Sequence, residues 1–163
     1  MTETLYEGKI LRLQRLDARW EVIDHADAVA ILALRDSQML VVRQYRPAIG
    51  KHTLEAPAGL IDPGETPLEA ALRELSEEAN LGGHLELLTR FYPSPGFSNE
   101  EVYLFEATDL FEKPGTPDED EELEVLWMRP QHVLEALRSG EVAGSASTIT
   151  AALFALQRLQ DPA

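Results

Sequence analysis

The chain has 163 residues, 44% of them hydrophobic and 26% charged, and a formal net charge of −15. That length suits one domain with a sizeable core, and the acidic balance argues against a nucleic-acid partner, because phosphate backbones are bound by Lys and Arg. The chain has no cysteine, which excludes a disulfide framework and a thiolate metal site. With no basic-then-apolar leader and no apolar run of membrane length, a cytoplasmic protein making no membrane contact is expected.

In chain order, residues 1–25 offer two candidate strands, Gly8–Leu13 and Arg19–Asp24. The first is too polar to form its own core, so it is expected to pack on a partner copy or over the main sheet. Residues 28–34 form a nearly continuous apolar run, the pattern of a buried strand. Asp36-Ser37 then turns the chain, and Met39–Tyr45 pairs back as a hairpin. Arg43 and Arg46 close that strand before Pro47 and Gly50. A short strand at Thr53–Ala56 leads on to Gly59.

The stretch from Gly59 to Leu81 carries a helix with strong local signals. Thr66 is a good N-cap, Pro67 suits the first helical position and Glu69 completes a capping box, so the helix is predicted over Pro67–Ala79. Asn80 stands where a left-handed cap is wanted. Leu68, Ala71, Leu72, Leu75 and Ala79 form the expected core stripe. Glu74, Glu77 and Glu78 lie on a neighbouring arc, with Arg73 placed to offset Glu77 at i, i+4. Like charges at that spacing cost roughly 0.2–0.5 kcal/mol per pair, and the macrodipole disfavours them in the C-terminal half of a helix. Taken alone, the arc reads either as a solvated acidic face or as oxygen ligands for a hard cation such as Mg²⁺ or Mn²⁺.

Beyond the helix, a break at Gly82-Gly83 and a strand at His84–Tyr92 are expected. Then come a rigid loop at Pro93–Asn99, a strand at Glu101–Ala107, a long loop over Asp109–Glu122 and a strand at Leu123–Met128. Two helices close the chain, from Pro130 to about Arg138 and from about Thr148 to Leu159. Strands with helices on both sides give an α/β sandwich around a mixed sheet. His25, His52, His84 and His132 show no metal-ligand spacing.

Gly59, Glu65, Arg73-Glu74-Leu75, Glu77-Glu78 and Leu81 together resemble the Nudix box, G-x5-E-x7-R-E-U-x-E-E-x-G-U with U aliphatic. Asn80 departs from the box glycine but leaves every carboxylate in place. The resemblance implies a Nudix fold over residues 1–163, with an N-terminal strand extension at 1–25 serving dimerisation and substrate binding, and a catalytic core at 26–163. It implies metal ligation by Glu74, Glu77, Glu78 and the Ala58 carbonyl, with Arg73 orienting the glutamates and Glu65 supporting the site. Metal ions suit the chemistry, because they neutralise a diphosphate and polarise its phosphorus.

Ser94–Glu100 resembles the signature loop of the ADP-ribose pyrophosphatase branch, and Val42–Pro47 is similar to a segment of the same branch. The implied activity is Mg²⁺- or Mn²⁺-dependent hydrolysis of ADP-ribose to AMP and ribose 5-phosphate by a homodimer. Ser94, Gly96 and Glu100 would meet the ribose, Arg46 a phosphate, and Ile10, Arg19 and Glu21 the adenine. In this branch the general base comes from the acidic loop, here Glu119 or Glu121, two positions that extended chain turns to the same side. Alternatives are a Nudix hydrolase for another sugar nucleotide, flavin or dinucleotide, and a non-catalytic Nudix-like ligand sensor.

Overall fold

A computed structural model describes residues 1–116 and 122–160. Three strands, β1 (Thr2–Glu7), β2 (Leu11–Leu16) and β3 (Trp20–His25), form an N-terminal antiparallel sheet of their own. The three-residue turn Asp17–Arg19 between β2 and β3 has positive φ at Asp17 and Ala18, and the Arg19 N–H closes it on the Leu16 carbonyl at 3.0 Å. Every residue of β1 is exposed, so no burial pattern marks it as a strand; it appears in addition to the two strands expected here.

The main sheet begins with β4 (Ala28–Arg35), β5 (Gln38–Arg46), β6 (Lys51–Glu55) and β7 (Ala58–Leu60). It continues after helix α1 (Pro67–Ala79) with β8 (Leu81–Phe91), β9 (Val102–Glu112) and β10 (Glu124–Met128). Helix α2 (Pro130–Ser139), the short β11 (Ala143–Gly144) and helix α3 (Ala146–Gln160) complete the chain. The strand order is β11-β6-β5-β4-β9-β8, with β10 joined to β5 and β7 to β4. The β4–β9 and β6–β11 pairs are parallel, so the sheet is mixed.

Strand β4 is apolar from Ala28 to Leu34 because both of its faces are covered there. Ala28, Ala30 and Leu32 point into a core shared with Val133 of α2 and Ala151, Ala152 and Ala155 of α3. Val29, Ile31 and Ala33 point into a second core with Ala70, Ala71 and Leu75 of α1. The expected sandwich is therefore present, with α1 alone on one side. Two bonds hold the segment leading to Gly59. Thr148 Oγ1, at the start of α3, accepts from the Ala56 N–H at 3.0 Å, and the Pro57 carbonyl accepts from the Ile31 N–H at 2.8 Å.

Three local expectations need correction. Gly82-Gly83 is no break but lies within β8, opposite a register irregularity where Asp109 on β9 takes a left-handed φ of 51°. That extra residue is absorbed as a bulge, so β9 runs on to Glu112 and the loop after it is shorter than the predicted Asp109–Glu122. On α1 the buried arc is rotated from the predicted stripe: Leu68 is 43% exposed, whereas Ala70, Glu74 and Glu78 are buried.

Candidate active and metal site

Helix α1 starts as its sequence dictates. Thr66 Oγ1 accepts from the Glu69 N–H at 3.3 Å, and Glu69 Oε2 accepts in return from the Thr66 N–H at 2.8 Å. It ends at Asn80, left-handed at φ 54°, whose N–H bonds back to Leu75 and Ser76 carbonyls. The Asn80 side chain adds a bond that glycine could not make: Oδ1 accepts from the Gly115 N–H at 3.1 Å. The chain just after β9 is thereby fastened to the end of the helix.

With both ends fixed, Glu74 and Glu78 enter the site at 9% and 5% exposure. A buried carboxylate is costly unless it is hydrogen-bonded or paired. Glu78 Oε2 accepts from the Ala58 N–H at 3.1 Å, and Glu74 Oε1 accepts from Arg73 Nη1 at 2.6 Å. Gly59 is required beside them, because a Cβ there would fall inside the Glu74 carboxylate. The box glycine thus makes the space that presses Glu74 against the β7 backbone next to Ala58.

Arg73 is the electrostatic centre. Its Nε and Nη2 form a fork on Glu65 at 2.8 and 3.0 Å, Nη1 is shared by Glu74 and Glu77 at 2.6 and 3.0 Å, and Nη2 also reaches the Leu60 carbonyl at 2.9 Å. Five N–H groups, the full complement of a guanidinium, are engaged. The Glu65 bonds, working against burial and helped by Glu74, push the Arg73 pKa further up. In turn the Arg73 bond holds the Glu65 carboxyl below its usual range, against a smaller effect of burial.

Three carboxylates, Glu65, Glu74 and Glu77, share one guanidinium, with Glu78 on the next turn of the helix. Among the described residues no three acidic or imidazole groups converge at metal-ligand spacing; Glu74 and Glu77 instead share the Arg73 Nη1. The donor set nevertheless fits a hard divalent ion: carboxylates only, two of them buried, packed against the Ala58 backbone in a space that a Cβ would fill.

Ala28 of β4 faces Leu60 on one side and Val102 on the other. The box strand and the strand after the Ser94–Glu100 loop therefore lie two strand spacings apart, roughly 9–10 Å. Asp27 bridges them: its carbonyl accepts from the Ile61 N–H at 2.9 Å and its Oδ1 from the Glu101 N–H at 2.9 Å. Within the loop, Ser94 is partly buried, Gly96 is exposed and Glu100 is partly buried. Burial raises the Glu100 carboxyl, with the charges of His25 and Asp27 acting in opposite senses.

The remaining predicted residues lie elsewhere. Ile10 is exposed in the turn between β1 and β2, Arg19 is stacked 4.4 Å over the Trp20 ring, and Glu21 is exposed on β3. Arg46 makes a fork on Glu55 with both bonds at 2.8 Å, and Thr53 Oγ1 donates to Glu55 Oε1 at 2.7 Å. Glu119 and Glu121 lie outside the described residues.

The NUDIX domain profile matches residues 24–149, most of the chain. The chain belongs to the Nudix family. Among curated relatives, the ADP-ribose pyrophosphatase of Bacillus subtilis is 34% identical, aligning with 97% of this chain and 89% of its own. The ADP-ribose pyrophosphatase of Mycobacterium tuberculosis is 35% identical over 88% and 76% of the two chains. The methanol dehydrogenase activator of Bacillus methanolicus is 31% identical over 96% and 91%. A solved ADP compounds hydrolase superposes with a TM-score of 0.79 at 23% identity, covering 98% of this chain and 92% of that one, which shows the shared fold. Nudix hydrolases in general use divalent metal ions, in keeping with the oxygen-only donor set around Glu74 and Glu78.

Sequence reading missed Glu55, Asp27 and Asn99. Glu55 had a weak signal, since Thr53 and Glu55 lie on one face of a strand beside an arginine-bearing partner. Burial raises the Glu55 carboxyl, but the Arg46 and Thr53 bonds outweigh it, and its pKa is lowered from 4.5. A carboxylate with a depressed folded pKa stabilises the fold fully above its unfolded pKa and loses that contribution as pH falls through the folded value. Urea unfolding between about pH 3 and 6 is expected to show wild-type stability falling more steeply with acid than that of Glu55→Gln. Equal slopes would refute the pairing.

Proposed function

We propose that this Nudix chain hydrolyses the diphosphate of ADP-ribose, releasing AMP and ribose 5-phosphate. The single observation that carries the reading is the Gly59–Glu74–Glu78–Ala58 cradle, which gathers buried carboxylates under the box strand. The Bacillus subtilis and Mycobacterium tuberculosis relatives supply the substrate. Water adds to one phosphorus, the P–O–P bridge breaks, and the bridging oxygen leaves on the other product. Glu74, Glu77 and Glu78, with the Ala58 carbonyl, would hold Mg²⁺ or Mn²⁺, which supplies charge neutralisation of the diphosphate and polarisation of phosphorus.

Arg73 keeps the glutamates oriented rather than meeting substrate, because its N–H groups are already engaged. Arg46, held in a fork by Glu55, presents a fixed cation for a phosphate. Ser94, Gly96 and Glu100 would contact the ribose, and Ile10, Arg19 and Glu21 the adenine. Glu119 or Glu121 would take the proton of the attacking water, because carboxylates committed to a cation are poor bases. A non-catalytic sensor would be expected to have lost box glutamates, and this chain retains all of them.

The N-terminal sheet supports a homodimer. It leaves Tyr6, Ile10 and Trp20 more than half exposed and β1 exposed throughout, in a sheet separate from the main one, and a small sheet of this kind gains stability by packing on a second copy. Sedimentation at micromolar concentration is expected to give a dimer, and a monomer there would remove the idea. Cytoplasmic location remains part of the proposal. Among the described residues no helix is long and apolar enough to cross a membrane.

One assay series tests the activity and the assignments. Wild type with ADP-ribose and Mg²⁺ should yield AMP and ribose 5-phosphate, with a clear preference over a hexose-linked nucleotide. Glu74→Gln and Glu78→Gln should lose about 100-fold or more in turnover and weaken metal binding while remaining folded. Of Glu119→Gln and Glu121→Gln, the variant that removes the base should lose turnover while keeping metal and substrate binding. Near-normal turnover of Glu78→Gln at low Mg²⁺ would overturn the metal assignment. Wild-type turnover in both loop variants would move the base elsewhere.

A further inference from the structure

The Ser94–Glu100 loop does not stand on the main sheet alone. It docks on β3 of the N-terminal sheet through backbone and side-chain bonds. The Ile23 N–H donates to the Phe97 carbonyl at 2.6 Å, the Asn99 N–H donates to the Ile23 carbonyl at 3.3 Å, and Ile23 and Ser98 form a parallel bridge. One side chain closes this join. Asn99 Oδ1 accepts from the His25 N–H at 2.9 Å, and Asn99 Nδ2 donates to Asp24 Oδ1 at 2.8 Å. Asp24 Oδ2 is held in turn by Arg12 Nη2 at 2.6 Å, which carries the connection to β2. The Asn99 bond, more than Arg12, keeps the Asp24 carboxyl below its usual range.

This arrangement has a geometric consequence. An amide is the group that can accept from a backbone N–H and donate to a carboxylate at once, so Asn99 fits between His25 and Asp24 where an aspartate would set two carboxylates face to face. Glu100, the next residue, is partly buried and shares its surroundings with His25 and Asp27. Any shift of residue 99 along β3 therefore moves Glu100. The same strand carries Trp20 and Glu21 at its other end, directly after Arg19 in the turn. Loop and strand are thus one hydrogen-bonded unit with candidate contacts for both ends of an elongated ligand.

We infer that Asn99 is a positioning residue that sets specificity for the sugar end of the substrate, by locking the Ser94–Glu100 loop in register with β3. The inference rests on the reading that this loop meets the ribose of ADP-ribose. The role belongs to the Asn99 amide and its partner Asp24, neither of which touches the substrate in this account. The N-terminal sheet then fixes the specificity loop of its own chain as well as offering a surface to a second copy.

The test uses the full chain with three variants: Asn99→Ala, Asn99→Asp, and Asn99→Asp combined with Asp24→Asn. In the double variant the amide at 24 donates to the carboxylate at 99, which still accepts from the His25 N–H, and the amide oxygen at 24 still accepts from Arg12. Amide exchange at Ile23, His25 and residue 99 should accelerate in both single variants and return towards wild type in the double. For ADP-ribose, KM should rise about tenfold in the single variants, the scale of a lost charge-assisted hydrogen bond. Turnover at saturation should stay within about twofold, and preference over ADP-glucose should shrink. The double variant should recover most of the KM and the preference.

Unchanged exchange in Asn99→Ala would overturn the inference, as would faster exchange with unchanged KM and preference. A turnover loss that the double variant does not repair would overturn it too. If wild type fails to cleave ADP-ribose, the proposed activity falls by itself. Exchange, and binding of ADP-ribose compared with ADP-glucose, then decide the role of Asn99 separately.

Discussion

Arg73 joins the two halves of the box. Its fork on Glu65 ties the loop before α1 to the helix, its bond to the Leu60 carbonyl ties the helix to β7, and its shared Nη1 holds Glu74 beside Glu77. Bidentate bonds of this kind specify direction as well as attraction. Lysine could neutralise one carboxylate but could not hold this planar set. The guanidinium nevertheless balances only part of the surrounding negative charge, and two of the carboxylates are buried. A carboxylate cluster of this kind suits the divalent ions that Nudix hydrolases in general use.

The fold brings the Ser94–Glu100 loop towards this cluster by strand order. Because β4 lies between β7 and β9, the box and the end of the Ser94–Glu100 loop come to the same end of one buried strand. Asp27, immediately before β4, hydrogen-bonds to both sides. The two cores on either face of β4 pack that strand on both sides. Site geometry is thus inherited from a strand packed on both faces, while the groups proposed to read the substrate sit on a loop and on a separate small sheet.

The parts of this arrangement legible in the sequence are those written in local spacing. The capping box, Pro67 and Asn80 mark both ends of α1, because a helix end is decided by groups three or four residues apart. The box residues resemble their family because their spacing is fixed by one loop and one helix. The β9 extension was hidden by Asp109, whose left-handed backbone resembles a turn until the facing strand is known. The predicted apolar arc placed Leu68 inside and missed the burial of Glu74 and Glu78. Hydrophobicity cannot show that two carboxylates are buried against a backbone that has made room for them. The Asn99 contacts span 74 and 75 residues of sequence, and Arg46 reaches Glu55 across a hairpin. Such pairings depend on tertiary structure and leave no periodic trace.

Thermal unfolding tests most directly whether the Arg73-centred cluster binds a divalent cation. Wild type would be melted in a chelator and in Mg²⁺ or Mn²⁺ at about 100 times the dissociation constant. The linkage contribution there is about 2.7 kcal/mol, or roughly 5–10 °C for a chain of this size. Glu78→Gln keeps an acceptor for the Ala58 N–H while removing charge. The account predicts that in chelator it melts no lower than wild type and that it gains little from the metal. A wild-type midpoint unmoved by either cation, together with a lower midpoint for Glu78→Gln, would contradict it.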